Sequence, residues 1–358
     1  MTLTTLSRAF AAALSLFLLV SAGYGADGDL LDVRDSADQP VKLIFDTDIG
    51  GDIDDAFALA IIHVMADRGK CELLGVTTTN QNASTPGYVA AFNAWYGRPA
   101  IPVGAGKGRN TDRYLSAITS QRLADGTPEY PIPAGFEAGE AVRTLRGLLA
   151  SAEDRSVVVV QVGWCSNLAT LLDSPADDLS PMTGRELAER KVRLLSVMGG
   201  AFVVDETAAN YSGHKEFNIV NNVPAAQKLA REWPTEMVFS GYELGDRLRM
   251  QPVSLKNDLT RRAKILHDSF GHWASQAAPK EGFDHRRPTW DLTSVLFVLR
   301  PEEGRDYFSL SEFGNVDFTD AGVTVFTPNP SGKSRCFLQT EAQRVRAGEA
   351  IVDLCSEP

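Results

Sequence analysis

Apolar residues fall in short continuous runs, separated by polar and glycine-rich stretches, along most of the chain. Val41–Phe45, Leu73–Thr79, Val157–Val162, Val192–Val197 and Met237–Ser240 read as strands, with a short one at Ile101–Val103 in the segment IPVGAG. Helical spacing occupies Asp54–Ala66, Pro86–Tyr96, Glu140–Ala150, Asn167–Asp173 and Pro224–Glu232, then Leu259–Gln276 and Asp291–Leu299. The runs VVVV (157–160) and LLSVM (194–198) are unbroken rather than alternating, as in strands covered on both faces. Strands alternating with helices predict an α/β fold with a wound, mostly parallel central sheet flanked by helices, Rossmann-like in type. Residues 104–135 are rich in glycine, proline and polar types and read as a long loop, a length uncommon unless it serves function. The tail after Val323 reads as strand.

In such sheets ligands bind beyond the carboxyl ends of the strands. Four strand ends turn polar or glycine-rich together. They are Asp46 to Asp55, Thr77 to Asn82, Gly163-Trp164-Cys165-Ser166-Asn167, and Met198-Gly199-Gly200. This convergence predicts one site at one edge. Its first segment, DTDIGGDIDD, holds Asp46, Asp48, Asp52, Asp54 and Asp55. Carboxylates this close repel one another unless a cation or a positively charged transition state compensates them. Oxygen-only donors suit a hard cation, calcium or magnesium first. An EF-hand loop starting at Asp46 would need a glutamate where Phe57 stands. A phosphatase of the aspartyl-phosphate type would use only Asp46 and Asp48, and a helix cap only Asp54. None of these readings accounts for all five.

Composition changes the picture at the ends of the chain more than in its middle. Hydrophobic residues at 44% and charged residues at 23% are ordinary for a globular protein. The net charge of −11 argues against a nucleic-acid surface or an anionic-lipid surface. Near the N-terminus, Arg8 precedes an apolar run from Ala9 to Val20 and then Ser21, Ala22, Gly23 and Gly25. That layout predicts a signal peptide over residues 1–25 and an exported product, periplasmic or secreted. The run is short for a membrane span of roughly 20 residues, so no membrane association is expected after cleavage. Residues 26–40 read as a polar leader, 41–325 as the main domain and 326–358 as a β-rich extension of it. Export would permit a disulfide, with Cys336 and Cys355 the expected pair, while Cys71 opens a buried strand and is expected only to pack. No cysteine–histidine cluster suggests zinc.

The aspartate segment is similar to the signature of the inosine–uridine-preferring nucleoside hydrolase family, Asp-x-Asp-Pro-Gly-x-Asp-Asp, with two extra residues and Ile49 in place of proline. LLGVTTTNQN (73–82), IPVGAG (101–106), GWCSNLA (163–169) and MGGAF (198–202) resemble further family segments. So do Asn210, Glu216-Phe217-Asn218 and VPAAQ (223–227), and Asp291 opens a late helix as the last family aspartate does. Together these segments span residues 41–300. The resemblance implies hydrolysis of the N-glycosidic bond of a small-molecule nucleoside, to free base and ribose, with calcium as cofactor. It puts calcium on Asp48, Asp55, Asp291 and the backbone carbonyl of Ser166, and makes Asp48 the acceptor of a proton from the attacking water. Asp54 and Asn82 would hold ribose hydroxyls. Met198, Asn210, Glu216 and Asn218 would complete the substrate contacts, the last three at the ring and its 5′ side. Breaking the bond builds positive charge on the ribose, and many carboxylates with few cations would stabilise it.

Two departures stand out. Asp52 lies in the insertion and has no family counterpart. Trp290 stands where pyrimidine- and inosine-type members place a histidine. Purine-specific members are similar in carrying an aromatic residue there that stacks on the base, so a purine preference is expected. Packing beneath the helix is the competing role for Trp290. His214, His285, Arg286 and Arg287 are candidates to protonate the leaving base. Trp95, Tyr96 and Tyr114 are further stacking candidates, with core packing as the alternative. Family members are often dimers or tetramers, so a homo-oligomer is compatible with the resemblance. Two rival classes stay open: a hydrolase of another ribosyl or sugar substrate, and a non-catalytic calcium-dependent binder of nucleosides or sugars. Retention of Asp48 argues against the binder, which has no need of a base.

Overall fold

The computed structural model describes residues 39–202, 211–250, 263–299 and 306–356. The predicted signal peptide, nearly all of the leader, and Asn210 lie outside the described residues. Strands are β1 (Val41–Thr47), β2 (Cys71–Asn80), β3 (Val103–Arg109), β4 (Gly139–Glu140), β5 (Val157–Gln161), β6 (Val192–Met198) and β7 (Glu236–Ser240). They continue with β8 (Arg249–Met250), β9 (Arg287–Pro288), β10 (Ser309–Leu310), β11 (Gly314–Phe318), β12 (Thr324–Pro328) and β13 (Ser334–Leu338).

The main sheet runs β12-β11-β13-β7-β6-β5-β1-β2-β3-β4, with β10 also on β13. From β4 across to β13 every pairing is parallel, and β10, β11 and β12 pair antiparallel beyond it. The predicted α/β architecture is therefore present. Neighbouring residues of one strand enter opposite apolar layers. Leu43, Phe45, Val158 and Val160 pack in one, while Ile44, Val157 and Val159 pack in the other. Burial on both faces is why these strands are unbroken apolar runs. Helices Asp54–Asp67, Thr85–Trp95, Lys264–Ala277 and Trp290–Leu299 cover the first layer. Helices Ala141–Ser151, Ser166–Asp173, Gly184–Lys191 and Val223–Glu232 cover the second.

Strand order reverses at β1. The chain winds outward from β1 to β4, then returns to lay β5 on the other side of β1 and winds the opposite way. The crevice beyond the carboxyl ends of β1 and β5 is the switch point at which a wound sheet offers a binding site.

Several expectations are corrected. The strand at IPVGAG begins at Val103 and runs on to Arg109, and Leu115–Ser120 is helical, so the expected long loop is partly ordered structure. Helix Gly184–Lys191 has a mostly polar sequence and little periodic signal. Its start is fixed by a capping box between Thr183 and Glu186. The C-terminal extension is only half β. After β13 it becomes helix Glu341–Ser356, which buries Ala347, Ala350, Ile351, Leu354 and Cys355 at helical spacing. The Cys336–Cys355 disulfide is absent, and all four cysteines are free and buried. The sheet itself separates that pair, because Cys336 packs in one apolar layer and Cys355 in the other.

Candidate active site

Two helix N-termini meet beyond β1. Asp48 follows the strand, and the loop reverses at Gly50, whose φ of +120° and close neighbours leave no room for a side chain. Helix Asp54–Asp67 then opens with two acidic residues, where its dipole favours negative charge. Opposite it starts helix Trp290–Leu299. The Asp54 carboxylate accepts the backbone N–H groups of Trp290 at 3.1 Å and Asp291 at 3.4 Å, so it caps the second helix from the first. Asp291 is thereby brought beside Asp55. Asp54, Asp55 and Asp291 each offer a carboxylate oxygen, and these lie within 4.8 Å of one another.

All three side chains are buried. Burial, then the charge of Asp52, pushes Asp54 up to about 7. Asp55 is raised well above the usual range by burial, then by Asp48 and Asp54; Asp291 is raised likewise, by burial, then by Asp54 and Asp55. Such shifts mark uncompensated charge, which a cation relieves. An all-oxygen, buried donor set fits a hard metal ion. Asp46 sits behind the site. It accepts hydrogen bonds from Thr77 Oγ1 at 2.6 Å and Asn167 Nδ2 at 2.7 Å, and burial raises it to about 7. Thr47 Oγ1 donates to Asp55 and fixes its rotamer.

The cavity above this cluster holds about 270 Å³. Asp48, Asp54, Asp55, Met198, Glu216, Asn218, Trp290 and Asp291 line it, as expected from sequence, and Asp52 joins them. Glu216 accepts the backbone N–H groups of Asn218, Ile219 and Gly200 at 2.9, 3.2 and 3.3 Å, and burial raises it to about 7. Asn218 Nδ2 donates to the Val162 carbonyl at 2.7 Å, tying the ends of β5 and β6 together through Met198.

Two expected residues lie elsewhere. Ser166 is already inside a helix, where its carbonyl accepts from Thr170 Oγ1 at 2.8 Å; Val162, four residues earlier, lines the cavity instead. Asn82 bonds Asn110 at 3.1 Å and is absent from the lining, while Asn80 holds the aspartate loop through the Ile49 carbonyl at 2.8 Å.

The expectation of few cations fails. Arg109 and Arg113 line the cavity, and Arg287 borders it. Arg109 Nη1 donates to Asp48 Oδ2 at 3.2 Å, and its guanidinium carbon lies 4.8 Å from the Phe217 ring centre. Burial raises the Asp48 carboxyl, and Arg109 opposes that rise. Arg287 pairs with Asp52, lies 3.7 Å from Asp54, and sits 4.8 Å from the Trp290 ring centre. Asp52 therefore has a place, as the counter-ion that seats Arg287.

The aromatic wall is Trp290, Tyr242 and Phe217. Trp290 stacks on Tyr242 at 5.2 Å and donates its indole N–H to the Tyr242 carbonyl at 3.0 Å. His214 stacks on the same tyrosine at 3.9 Å, and burial lowers its pKa. His285 pairs with Glu281, and Arg286 is exposed. Trp95 packs against Tyr130 and Tyr96 against His63, while the buried Tyr114 donates its hydroxyl to the Asp52 carbonyl. All three are packing residues. Arg109, Val162 and Tyr242 were missed by sequence, although each sits at or just past a strand's carboxyl end, the same signal that pointed to the aspartate segment and Met198.

The inosine-uridine preferring nucleoside hydrolase model matches residues 43–354. A plant nucleoside hydrolase superposes with a TM-score of 0.64 at 18% identity, covering 89% of this chain and 100% of its own. A purine-preferring ribonucleoside hydrolase from Gardnerella vaginalis gives 0.63 at 18%, covering 88% and 100%. An inosine-uridine preferring nucleoside hydrolase from Bacillus anthracis gives 0.63 at 18%, covering 88% and 99%. At that identity the superpositions speak for the fold, and the model match speaks for the family. No curated protein sequence matches significantly. The chain belongs to the inosine-uridine preferring nucleoside hydrolase family, whose members are hydrolases acting on N-glycosyl compounds.

Proposed function

We propose that the chain is a calcium-dependent ribonucleoside hydrolase, with a preference for purines, acting after export from the cell. One observation carries the reading: Asp54, Asp55 and Asp291 converge in a nucleoside-sized cavity that Asp48 and an aromatic wall also line. Asp55 and Asp291, with Asp48 and the second lone pair of the Val162 carbonyl, are the groups we assign to calcium. When bound, calcium lowers the pKa of a water in its shell and orients the sugar hydroxyls.

Asp48 takes the proton from the water that attacks C1′ of the ribose. A buried carboxylate is a stronger base than an exposed one, which suits that task. As the C1′–N bond breaks, its electron pair leaves with the base and positive charge gathers on the sugar ring. Asp54 and Glu216 stand around that charge, and Asp54 also bonds a ribose hydroxyl. Asn218 and Met198 close the sugar side. Trp290 and Tyr242 present stacked rings to the base, and stacking holds a purine better than a smaller ring.

A second reading is a hydrolase of another ribosyl substrate, one bearing a negative group. Arg109 and Arg113 in the lining favour it. Reducing-sugar release from inosine, adenosine, guanosine, uridine and cytidine tests the main reading. Turnover of a nucleoside is expected. Calcium-dependent binding without turnover of any of the five would overturn the main reading.

A further inference from the structure

At the aspartate loop, which carries two residues more than the family signature, an arginine lies on the assigned base. Gly51 is one of the residues of the lengthened loop. A Cβ there would lie 2.3 Å from Arg109 Cζ and 2.5 Å from its Nη2, so the missing side chain is what admits the guanidinium. The guanidinium enters from the end of β3 and pairs with Asp48 at 3.2 Å, with both side chains largely shielded from water. The carboxylates that close around one point are Asp54, Asp55 and Asp291, without Asp48. Asp48 is near enough for its charge to act on both Asp55 and Asp291.

We propose that Arg109 is a positioning residue that stands in for the divalent cation at Asp48, so that Asp48 joins the ion only by exchanging Arg109 for it. The inference rests on the metal assignment above. Arg109 has somewhere to go, because the exposed Phe217 ring already lies under its guanidinium and offers a cation–π seat at the cavity wall. Two like charges cannot share Asp48 cheaply, so the arginine and the ion compete. Metal loading and release of Asp48 from Arg109 then become one event, and Asp48 is held in place until the ion arrives.

Calorimetric titration with calcium alone tests this on the intact protein, with folding checked by thermal denaturation. Arg109→Gln removes the competitor. Gly51→Ala keeps the charge but pushes the guanidinium off Asp48. Both are expected to bind calcium about 10-fold tighter than wild type, or more. Asp48→Asn should abolish the gain, so that Arg109→Gln on that background changes affinity less than about 2-fold. Unchanged or weaker binding in folded Arg109→Gln and Gly51→Ala would overturn the exchange while leaving the metal site standing. Failure of every protein, wild type included, to bind calcium would overturn the metal assignment and the exchange with it.

Discussion

The Asp54 carboxylate caps the helix that begins at Trp290, accepting its first N–H groups at 3.1 and 3.4 Å across 236 and 237 residues of sequence. Through that one contact the two acidic helix starts become a single site. Asp54→Ala should therefore do more than remove a sugar contact. Loss of a cap costs about 0.5–2 kcal/mol, and Asp291 loses its alignment with Asp55. The expected outcome is a lower melting temperature together with weaker calcium binding, read by denaturation and calorimetry. Unchanged calcium affinity would show that the cap does not set the cluster.

Asp48→Asn keeps the shape of the side chain and removes its basicity. Turnover should fall by about 10²–10⁴-fold, the range of a positioned general base, while the melting temperature stays near that of wild type. A rate close to normal would refute the base assignment.

Asp46, Asp54 and Glu216 are each raised to about 7, in every case first by burial. Unfolded carboxyls titrate near about 4. Between these values the folded state holds more protons than the unfolded one, so stability is full below about 4 and is lost as pH rises through about 7. The metal-free protein should therefore melt at progressively lower temperature from pH 5 to pH 8. Calcium should flatten that fall in part, because it relieves the charge around Asp54, Asp55 and Asp291 but leaves Asp46 and Glu216 unrelieved. Parallel curves with and without calcium would contradict a metal at this cluster.

Trp290 is held by close packing as well as by its hydrogen bond. A Cβ at Gly245 would fall 2.3 Å from Trp290 Cδ1 and 2.5 Å from its Cα. Gly245→Ala should cost about 1–3 kcal/mol through overpacking and displace the indole. Trp290→Ala should reduce kcat/KM for purine nucleosides more than for pyrimidine nucleosides. Equal losses would remove the stacking role.

The thiols offer a simple check. Denatured, unreduced protein should titrate four free cysteines, and a reductant should leave the melting temperature unchanged. Two titratable thiols would restore a bridge.

Much of this site is legible in sequence, for a physical reason. Buried parallel strands must be apolar, so the point where each turns polar marks its carboxyl end, and Asp48, Met198 and the Thr77 to Asn82 segment were all found that way. Ser166 does not line the cavity; the nearby strand end, at Val162, is itself apolar and presents a backbone carbonyl, which side-chain chemistry does not announce. Arg109 escaped notice because a glycine-rich strand with little apolar signal carries it to the site. Arg287 is one of several candidate proton donors in sequence, because nothing local ties it to Asp52, its partner across 235 residues. Cys336 and Cys355 looked like neighbours near the C-terminus, but only the strand order shows that the sheet lies between them.

The most direct measurement is the simultaneous release of free base and free ribose from a nucleoside, using protein stripped with a chelator and then resupplied with calcium. Equimolar release of base and ribose that starts only with calcium and stops on chelation is the predicted result. Intact nucleoside after prolonged incubation with the calcium-loaded protein, for every base tried, would contradict it.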